Sequence, residues 1–228
     1  MVYNMSSFGL KMIAIITMLI DHIGAVFIPS NTTEYLIFRS IGRLAFPIFV
    51  FLLVEGFYHT RDSKKYLIRL GIFALISEIP FDLAFYGDFY MGHQNIFFTL
   101  FLGLLLIILM RDVEVRFPKN VLAIYIIKAI LVIVFCIISI YLQTDYSFLG
   151  ILLITAFYLF RGKKILLVLS MLIIFGTPIG GINVLATLSM IFIALYNGKK
   201  GKSMKYFFYI FYPAHLTILF LISQYIKM

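Results

Sequence analysis

The sequence predicts an all-α protein, a polytopic transmembrane helix bundle of about nine spans with its N-terminus inside and its C-terminus outside. Three observations carry that reading. Apolar residues make up 63% of the chain and the mean hydropathy is +1.05, a composition suited to lipid rather than water. Apolar segments recur at 12–28, 35–58, 66–86, 95–110, 120–141, 147–160, 165–176, 182–196 and 206–226. Thirteen of the nineteen Lys and Arg residues sit in four short loops, and these alternate with loops that carry none.

The basic loops hold Arg61, Lys64 and Lys65; Arg111, Arg116 and Lys119; Arg161, Lys163 and Lys164; and Lys199, Lys200, Lys202 and Lys205. Loops 29–34, 87–94, 142–146 and 177–181 lack Lys and Arg, and their acidic residues are Glu34, Asp88 and Asp145. The positive-inside rule then puts the basic loops in the cytoplasm. Spans of about 20 residues use up most of residues 1–228, so the chain reads as a single integral membrane domain. The expected location is a bacterial cytoplasmic membrane, crossed many times.

Taken in order, the first segment is interrupted by Asp21-His22 and followed by eight more, so it reads as a span rather than a cleaved signal peptide. Segment 165–176 would reach about 18 Å as a helix, against about 30 Å of hydrocarbon. With Thr177-Pro178-Ile179-Gly180-Gly181 after it, it reads as a half-span or a re-entrant turn. Gly176 and Gly180 have the spacing of a helix-dimerisation motif, but the Thr177-Pro178 between them reads as a turn. The net charge of +9 is dispersed through short loops, which fits topology and lipid headgroups, and nucleic acid is not an expected partner. The single cysteine, Cys136, lies inside an apolar segment, so neither a disulfide framework nor a thiolate metal site is expected. Phe and Tyr must form the interfacial belt in the absence of Trp. Asn31-Thr32-Thr33 fits a glycosylation acceptor, in a loop short enough to make the match a chance one.

Charges inside spans are the main sign of function. Asp21, Arg39, Arg43, Glu78 and Lys128 would each cost roughly 3 kcal/mol facing lipid, so they must face one another or a wet cavity. Arg39 and Arg43 share a helix face, as do Glu78 and Asp82. If spans 2 and 3 pack as antiparallel neighbours, these pairs meet at similar depth, either as a structural ion-pair ladder or as working groups. Lys128 reads as a paired or snorkelling lysine. Glu55 and His59 read as capping the inner end of their span. Lys11 and His22 lie eleven residues apart, on one helix face and about 16 Å apart along the axis. That geometry suits a long ligand with a phosphate head in the cytosol and a reactive tip at the imidazole; the alternative is a hydrogen-bonded packing histidine. Asp21 points about 100° away from His22, so it is expected to pair with Arg43 or to hold an acceptor. His215, two residues after Pro213, reads as a second acid-base group, a substrate donor or a contact at a kink.

Several stretches together resemble the TraX family, integral membrane proteins named for the conjugative pilin acetylase. They are Leu10-Lys11-Met12-Ile13-Ala14, Ile20-Asp21-His22-Ile23-Gly24, and Arg39-Ser40-Ile41-Gly42-Arg43-Leu44-Ala45-Phe46-Pro47-Ile48-Phe49. Further along come Glu55-Gly56-Phe57-Tyr58-His59-Thr60, Ile76-Ser77-Glu78-Ile79-Pro80-Phe81-Asp82, Asn95-Ile96-Phe97-Phe98-Thr99-Leu100 and Phe211-Tyr212-Pro213-Ala214-His215-Leu216. The family is in turn similar to a wider group of membrane acyltransferases, in which a basic residue precedes a first-span His by eleven positions. Lys11 stands here where Arg is usual, which keeps the charge and loses the bidentate fork. A Gly-Phe turn before a basic cluster is matched by Gly56-Phe57 and Arg61, Lys64, Lys65 and Arg69.

The resemblance implies acetyl transfer from acetyl-CoA, the acyl donor, to an amine or hydroxyl of an envelope or surface acceptor. Lys11, Arg61, Lys64, Lys65 and Arg69 would hold the phosphates, unless the 61–65 trio only sets topology. His22 would be the base, with Asp21, Arg43 and Glu78 as its catalytic partners, Arg43 on the thioester oxyanion and Glu78 orienting it. Arg39, Asp82 and His215 are the candidate acceptor contacts. No metal is expected. Direct transfer and a route through acetyl-His22 are both open, and two other classes compete: a proton-coupled carrier, whose ion path would use the same buried groups, and a non-catalytic scaffold.

Overall fold

The computed structural model describes residues 4–176 and 181–227, and the expected turn at 177–180 lies outside them. Among the described residues the regular structure is helical. The α-helices are α1 (Ser7–Phe27), α2 (Thr33–Gly42), α3 (Ala45–His59), α4 (Ser63–Tyr86), α5 (Ile96–Arg116) and α6 (Val121–Tyr141). After them come α7 (Ser147–Leu159), α8 (Lys164–Phe175), a 3₁₀ segment (Gly181–Ser189), α9 (Met190–Ala194) and α10 (Lys205–Lys227).

Local chemistry sets the boundaries. Ser6, Thr32, Asp62, Asn95 and Asn120 each cap a helix start, their side-chain oxygens accepting a free backbone N–H of the first turn. Gly87 ends α4 at φ 77°, a left-handed position that suits glycine. The second apolar segment breaks at Arg43-Leu44. Pro47 has no N–H for the Arg43 carbonyl and its ring crowds that carbonyl, so the chain turns there and restarts as α3.

Among the described residues, five stretches are long and apolar enough to cross a bilayer: Ser7–Phe27, Thr33–His59, Ile96–Arg116, Val121–Tyr141 and Lys205–Ile226. The chain is a membrane protein. Helix α4 is long enough but carries Lys64, Lys65, Arg69, Glu78 and Asp82 along its 24 residues. Ser147–Leu159 and Lys164–Phe175 are shorter apolar helices. The eighth predicted segment, 182–196, is not one helix: a nine-residue 3₁₀ run leads into the five residues of α9. At the larger rise of a 3₁₀ helix the two together reach about 25 Å.

Packing follows a closed circuit in which α1 touches α3 and α10, α10 touches α4, α4 touches α5, and α5 returns to α3. Helix α7 buttresses α3 and α5 from outside, and its inner face (Ile151, Leu153, Ile154, Phe157) is sealed against them. The charge pairs of spans 2 and 3 could meet only if those spans packed as antiparallel neighbours. Instead, α4 packs mainly against α10 and α5, with a lighter contact to α1. Helix α6 buries only Phe135 and Ser139 and turns Ile126, Ile130, Ile133 and Ile137 outward, as a lipid-facing helix does.

The basic loops gather at one end of the bundle. Met5 N donates to the Leu195 carbonyl at 3.1 Å, and the Ser7 and Phe8 amides donate to Lys199 and Lys200 at 2.9 and 3.2 Å. Two turns of the opposite set meet where Gln94 N donates to Gln143 O at 3.0 Å and Asp145 N to Gln94 O at 2.9 Å.

Candidate functional site

Two cavities run along α1 inside the circuit, and Met18, Phe49, Ile96 and Tyr212 line both. The first, about 310 Å³, holds His22, Asp21, Arg39 and Arg43 with His93, Asp145 and Tyr146. The second, about 580 Å³, opens at the basic end, where Lys11, Arg69, Lys200, Lys202 and Lys205 surround it.

Asp21 is the anchor of the first cavity and is 6% exposed. Its Oδ2 accepts from Arg39 Nη1 at 2.5 Å and its Oδ1 from Arg43 Nη2 at 2.9 Å. Arg39 lies in the last turn of α2 and Arg43 caps that helix one turn on, so a single carboxylate from α1 fits between them. Only glycine suits position 42, because a Cβ there would lie 2.0–2.3 Å from the Asp21 side chain. Arg43 also donates from Nε to the Arg39 carbonyl and from Nη1 to Asn183 Oδ1, both at 3.1 Å. Its guanidinium lies over the Tyr146 ring, and that ring stacks on Phe46 at 3.9 Å. The expected partnership of Asp21 with Arg43 is therefore present.

The expected ladder between the arginines and Glu78 and Asp82 is not. Glu78 accepts from the Asn95 backbone N–H at 3.2 Å and from its side-chain amide, while Asn95 also donates to the Ala74 carbonyl at 2.8 Å. Glu78 thus ties α4 to the start of α5 and does not orient Arg43. Asp82, fully buried, accepts from the Tyr90 amide at 3.1 Å. Nearby, His93 Nε2 lies 3.8 Å from Asp145, whose carboxylate raises this imidazole above its ordinary value.

His22 meets His215 across the α1–α10 contact, with Nδ1 of His22 2.7 Å from Nε2 of His215. Nδ1 of His215 lies 2.7 Å from the Phe211 carbonyl, one turn back on α10. Phe85 packs edge-on against His22 at 5.2 Å. His215 is 5% exposed.

At the basic end, Lys11 Nζ sits 5.2 Å from the centre of the Phe208 ring. Arg69 lies against Tyr66, with its Nε buried and without a hydrogen-bond partner. Lys200 is close enough to repel both Lys11 and Lys205, and Lys205 is also repelled by Arg69. Of the five expected phosphate contacts, Lys11 and Arg69 line this cavity; Arg61, Lys64 and Lys65 do not, and Lys65 pairs with Asp62 at 3.5 Å. Lys200, Lys202 and Lys205 take their place. The sequence marked these lysines only as a topology signal. Nothing in it pointed to Asn183 or Tyr146 as partners of Arg43, since both lie over a hundred residues away along the chain.

The remaining intramembrane charges are structural. Lys128 is paired, as expected, with Glu114 at 2.5 Å. Glu55 is buried and takes Arg161 through both oxygens, at 2.6 and 3.2 Å. It joins α3 to the α7–α8 turn, a larger role than the expected cap, while His59 Nδ1 bonds the Glu55 carbonyl at 2.8 Å.

Fold and site together define an integral membrane protein whose helices enclose a histidine-bearing cavity beneath a cationic mouth. Comparison with known sequences gives the family. The TraX profile, described as "TraX protein", matches residues 6–223, and the chain belongs to this family. It is 31% identical over 236 residues to the probable fimbrial assembly protein FimC, serogroup H1, of Dichelobacter nodosus, covering 95% of each chain. It is also 35% identical over 111 residues to an uncharacterized protein of Rickettsia prowazekii (strain Madrid E), covering 49% of this chain and 40% of that one. No solved structure matches.

Proposed function

We propose that this chain is a membrane-bound acetyltransferase that moves an acetyl group from cytosolic acetyl-CoA to an amine or hydroxyl of an envelope or surface acceptor. The carrying observation is the pair of cavities that share a wall along α1 and run from the Lys11 mouth to His22. We further propose nine crossings, counting the short helices, with the basic loops in the cytoplasm of a bacterium. The relationship to a probable fimbrial assembly protein supports an acceptor that ends on the cell surface.

CoA carries several phosphate charges and stays out of hydrocarbon, so its nucleotide binds at the mouth. Lys11, Arg69, Lys200, Lys202 and Lys205 supply direct countercharge, with Arg61, Lys64 and Lys65 adding a longer-range field. The unpaired Arg69 Nε and the mutual repulsion of these cations are what a polyanion would relieve. The pantetheine arm follows α1 past Met18 and brings the thioester to His22.

There His22 takes the proton from the acceptor N–H or O–H as the nucleophile attacks the thioester carbonyl. The tetrahedral intermediate collapses, the C–S bond breaks, and the CoA thiolate leaves with the proton that His22 returns. Arg43, held by Asp21 and Asn183, faces the same cavity and stabilises the oxyanion. Arg39, which lines the first cavity, and the outer turns are left for the acceptor.

The test is calorimetry of acetyl-CoA with the protein in nanodiscs, beside Lys11→Ala and Lys200→Ala. Saturable micromolar binding, weakened about tenfold by either change (about 1.4 kcal/mol), is expected. His22→Ala should keep that binding and lose transfer. No binding by folded protein would overturn the proposal in favour of a carrier, whose uptake into proteoliposomes needs no CoA.

A further inference from the structure

The contact between His22 and His215 joins residues 193 positions apart, and its geometry assigns the protons. The Phe211 carbonyl can only accept, so Nδ1 of His215, 2.7 Å away, carries the hydrogen. A neutral His215 then has a bare Nε2, which can only accept. Its neighbour at 2.7 Å, Nδ1 of His22, must therefore be the donor.

Ring orientation agrees. The two imidazoles are 8° from parallel with centroids 5.0 Å apart. That separation equals one short N···N contact plus two ring radii, the value for rings lying edge to edge in one plane. They are not stacked face to face; the His22 N–H is aimed along the His215 lone pair. Phe85 and Tyr212 stand edge-on to His22 at 84° and 72°, which fixes the ring plane.

We infer that His215 is a positioning residue that holds His22 in the tautomer protonated on Nδ1, leaving Nε2 as a bare, cavity-facing base. This rests on the reading of His22 as the general base. Among the described residues, the hydrogen bond of the His22 ring is made by Nδ1, and His22 lines the first cavity. The chain of donors runs from His22 Nδ1–H to His215 Nε2, and from His215 Nδ1–H to the Phe211 carbonyl, so neither imidazole needs a carboxylate to set its tautomer. When His22 accepts a proton on Nε2, the Nδ1–H bond to His215 strengthens, because the donor has become cationic. Asp21, the adjacent carboxylate, is committed to Arg39 and Arg43 and cannot serve as the orienting group.

The experiment is ¹⁵N NMR of histidine-labelled protein in nanodiscs, resolved by substitution at each of the four histidines. His22 is expected to show a protonated Nδ1 and a bare Nε2. His215→Gln puts a carboxamide oxygen near the old Nε2 position and should preserve that pattern, with transfer within about tenfold of the parent. His215→Asn, which reaches only the Phe211 side, and His215→Phe should release His22 to the opposite tautomer. They should lower transfer by about 10²–10⁴-fold, with acetyl-CoA affinity at the mouth unchanged, the range for a mis-set general base. His22 protonated on Nε2 in the parent protein, or an unchanged tautomer in His215→Phe, would overturn the inference. Absence of transfer in the parent would overturn the enzymatic reading alone, since the tautomer is read without turnover.

Discussion

The Asp21 junction makes the sharpest prediction about stability. Asp21→Asn keeps the shape of the side chain and removes its charge. What remains is Arg39 and Arg43, 24% and 13% exposed at their side chains, around a neutral amide. Breaking a buried pair by removing one partner costs about 3–5 kcal/mol, because the surviving charge loses its compensation. Counting two charged hydrogen bonds at about 1.5–3 kcal/mol each gives about 3–6 kcal/mol, an overlapping range. The partial exposure of Arg39 lets water repay some of this, so we expect a loss near 4 kcal/mol. The assay is reversible unfolding in mixed micelles on a double-mutant cycle with Arg43→Met. The double variant should recover at least about 1.5 kcal/mol of the summed losses, since contacting residues couple by that order. A loss under about 1 kcal/mol for Asp21→Asn, with couplings inside about 0.5 kcal/mol, would refute the argument that this carboxylate joins α1 to α2.

Three further outcomes follow from contacts elsewhere. Gly42→Ala places a Cβ inside the Asp21 side chain and should cost about 2–3 kcal/mol by the same assay. Arg161→Met strips the bidentate partner from buried Glu55; Arg161 is 39% exposed, so about 1–2 kcal/mol is expected, with faster hydrogen exchange in the α7–α8 turn. The His93–Asp145 contact gives a pH dependence. His93 is raised in the folded protein, so its contribution is full below the ordinary imidazole pKa and is lost as pH rises through the raised value. Both side chains are about a third exposed, so the effect is small. Protection factors of residues 87–95, referred to the intrinsic base-catalysed rate, should fall from pH 6 to 8, and His93→Gln should remove that fall.

Much of this fold was legible because lipid imposes a simple demand: every apolar segment read from the sequence appears as helix. The exceptions have identifiable causes. Pro47 breaks the second segment by denying the Arg43 carbonyl a donor, and this happens at one of the two arginines that hold Asp21. Segment 182–196 begins as 3₁₀ helix, a distinction that hydropathy does not carry. Arg43 was one of two expected roles for Asp21, because helical spacing excluded His22, whereas Arg39 was weighed against Asp82 and is found on Asp21 as well. Glu78 and Asp82 were misassigned through the assumption that successive spans pack together. Helix α10 sits against α4 instead, so the carboxylates face Asn95 and Tyr90. The His22–His215 contact was illegible, for no local rule pairs residues at opposite ends of a chain.

The arrangement gives α1 two duties through neighbouring residues. Asp21 and His22 point about 100° apart on the helix, so one locks α1 to α2 while the other meets α10. At the start of the same helix, its first amides hold the Lys199-Lys200 turn. The cationic mouth and the buried imidazole are therefore fixed to one rigid rod, with Lys11 and His22 about 16 Å apart along it. On the proposed reading that rod measures the donor. A molecule whose phosphates and acyl carbon are adjacent can satisfy one end or the other. A nucleotide joined to its thioester through a long, flexible, uncharged arm can satisfy both at once. The apolar wall shared by the two cavities, Met18, Phe49, Ile96 and Tyr212, suits the passage of that arm better than of a charged group. The binding energy collected at the mouth is then available to hold the thioester where His22 and Arg43 act on it.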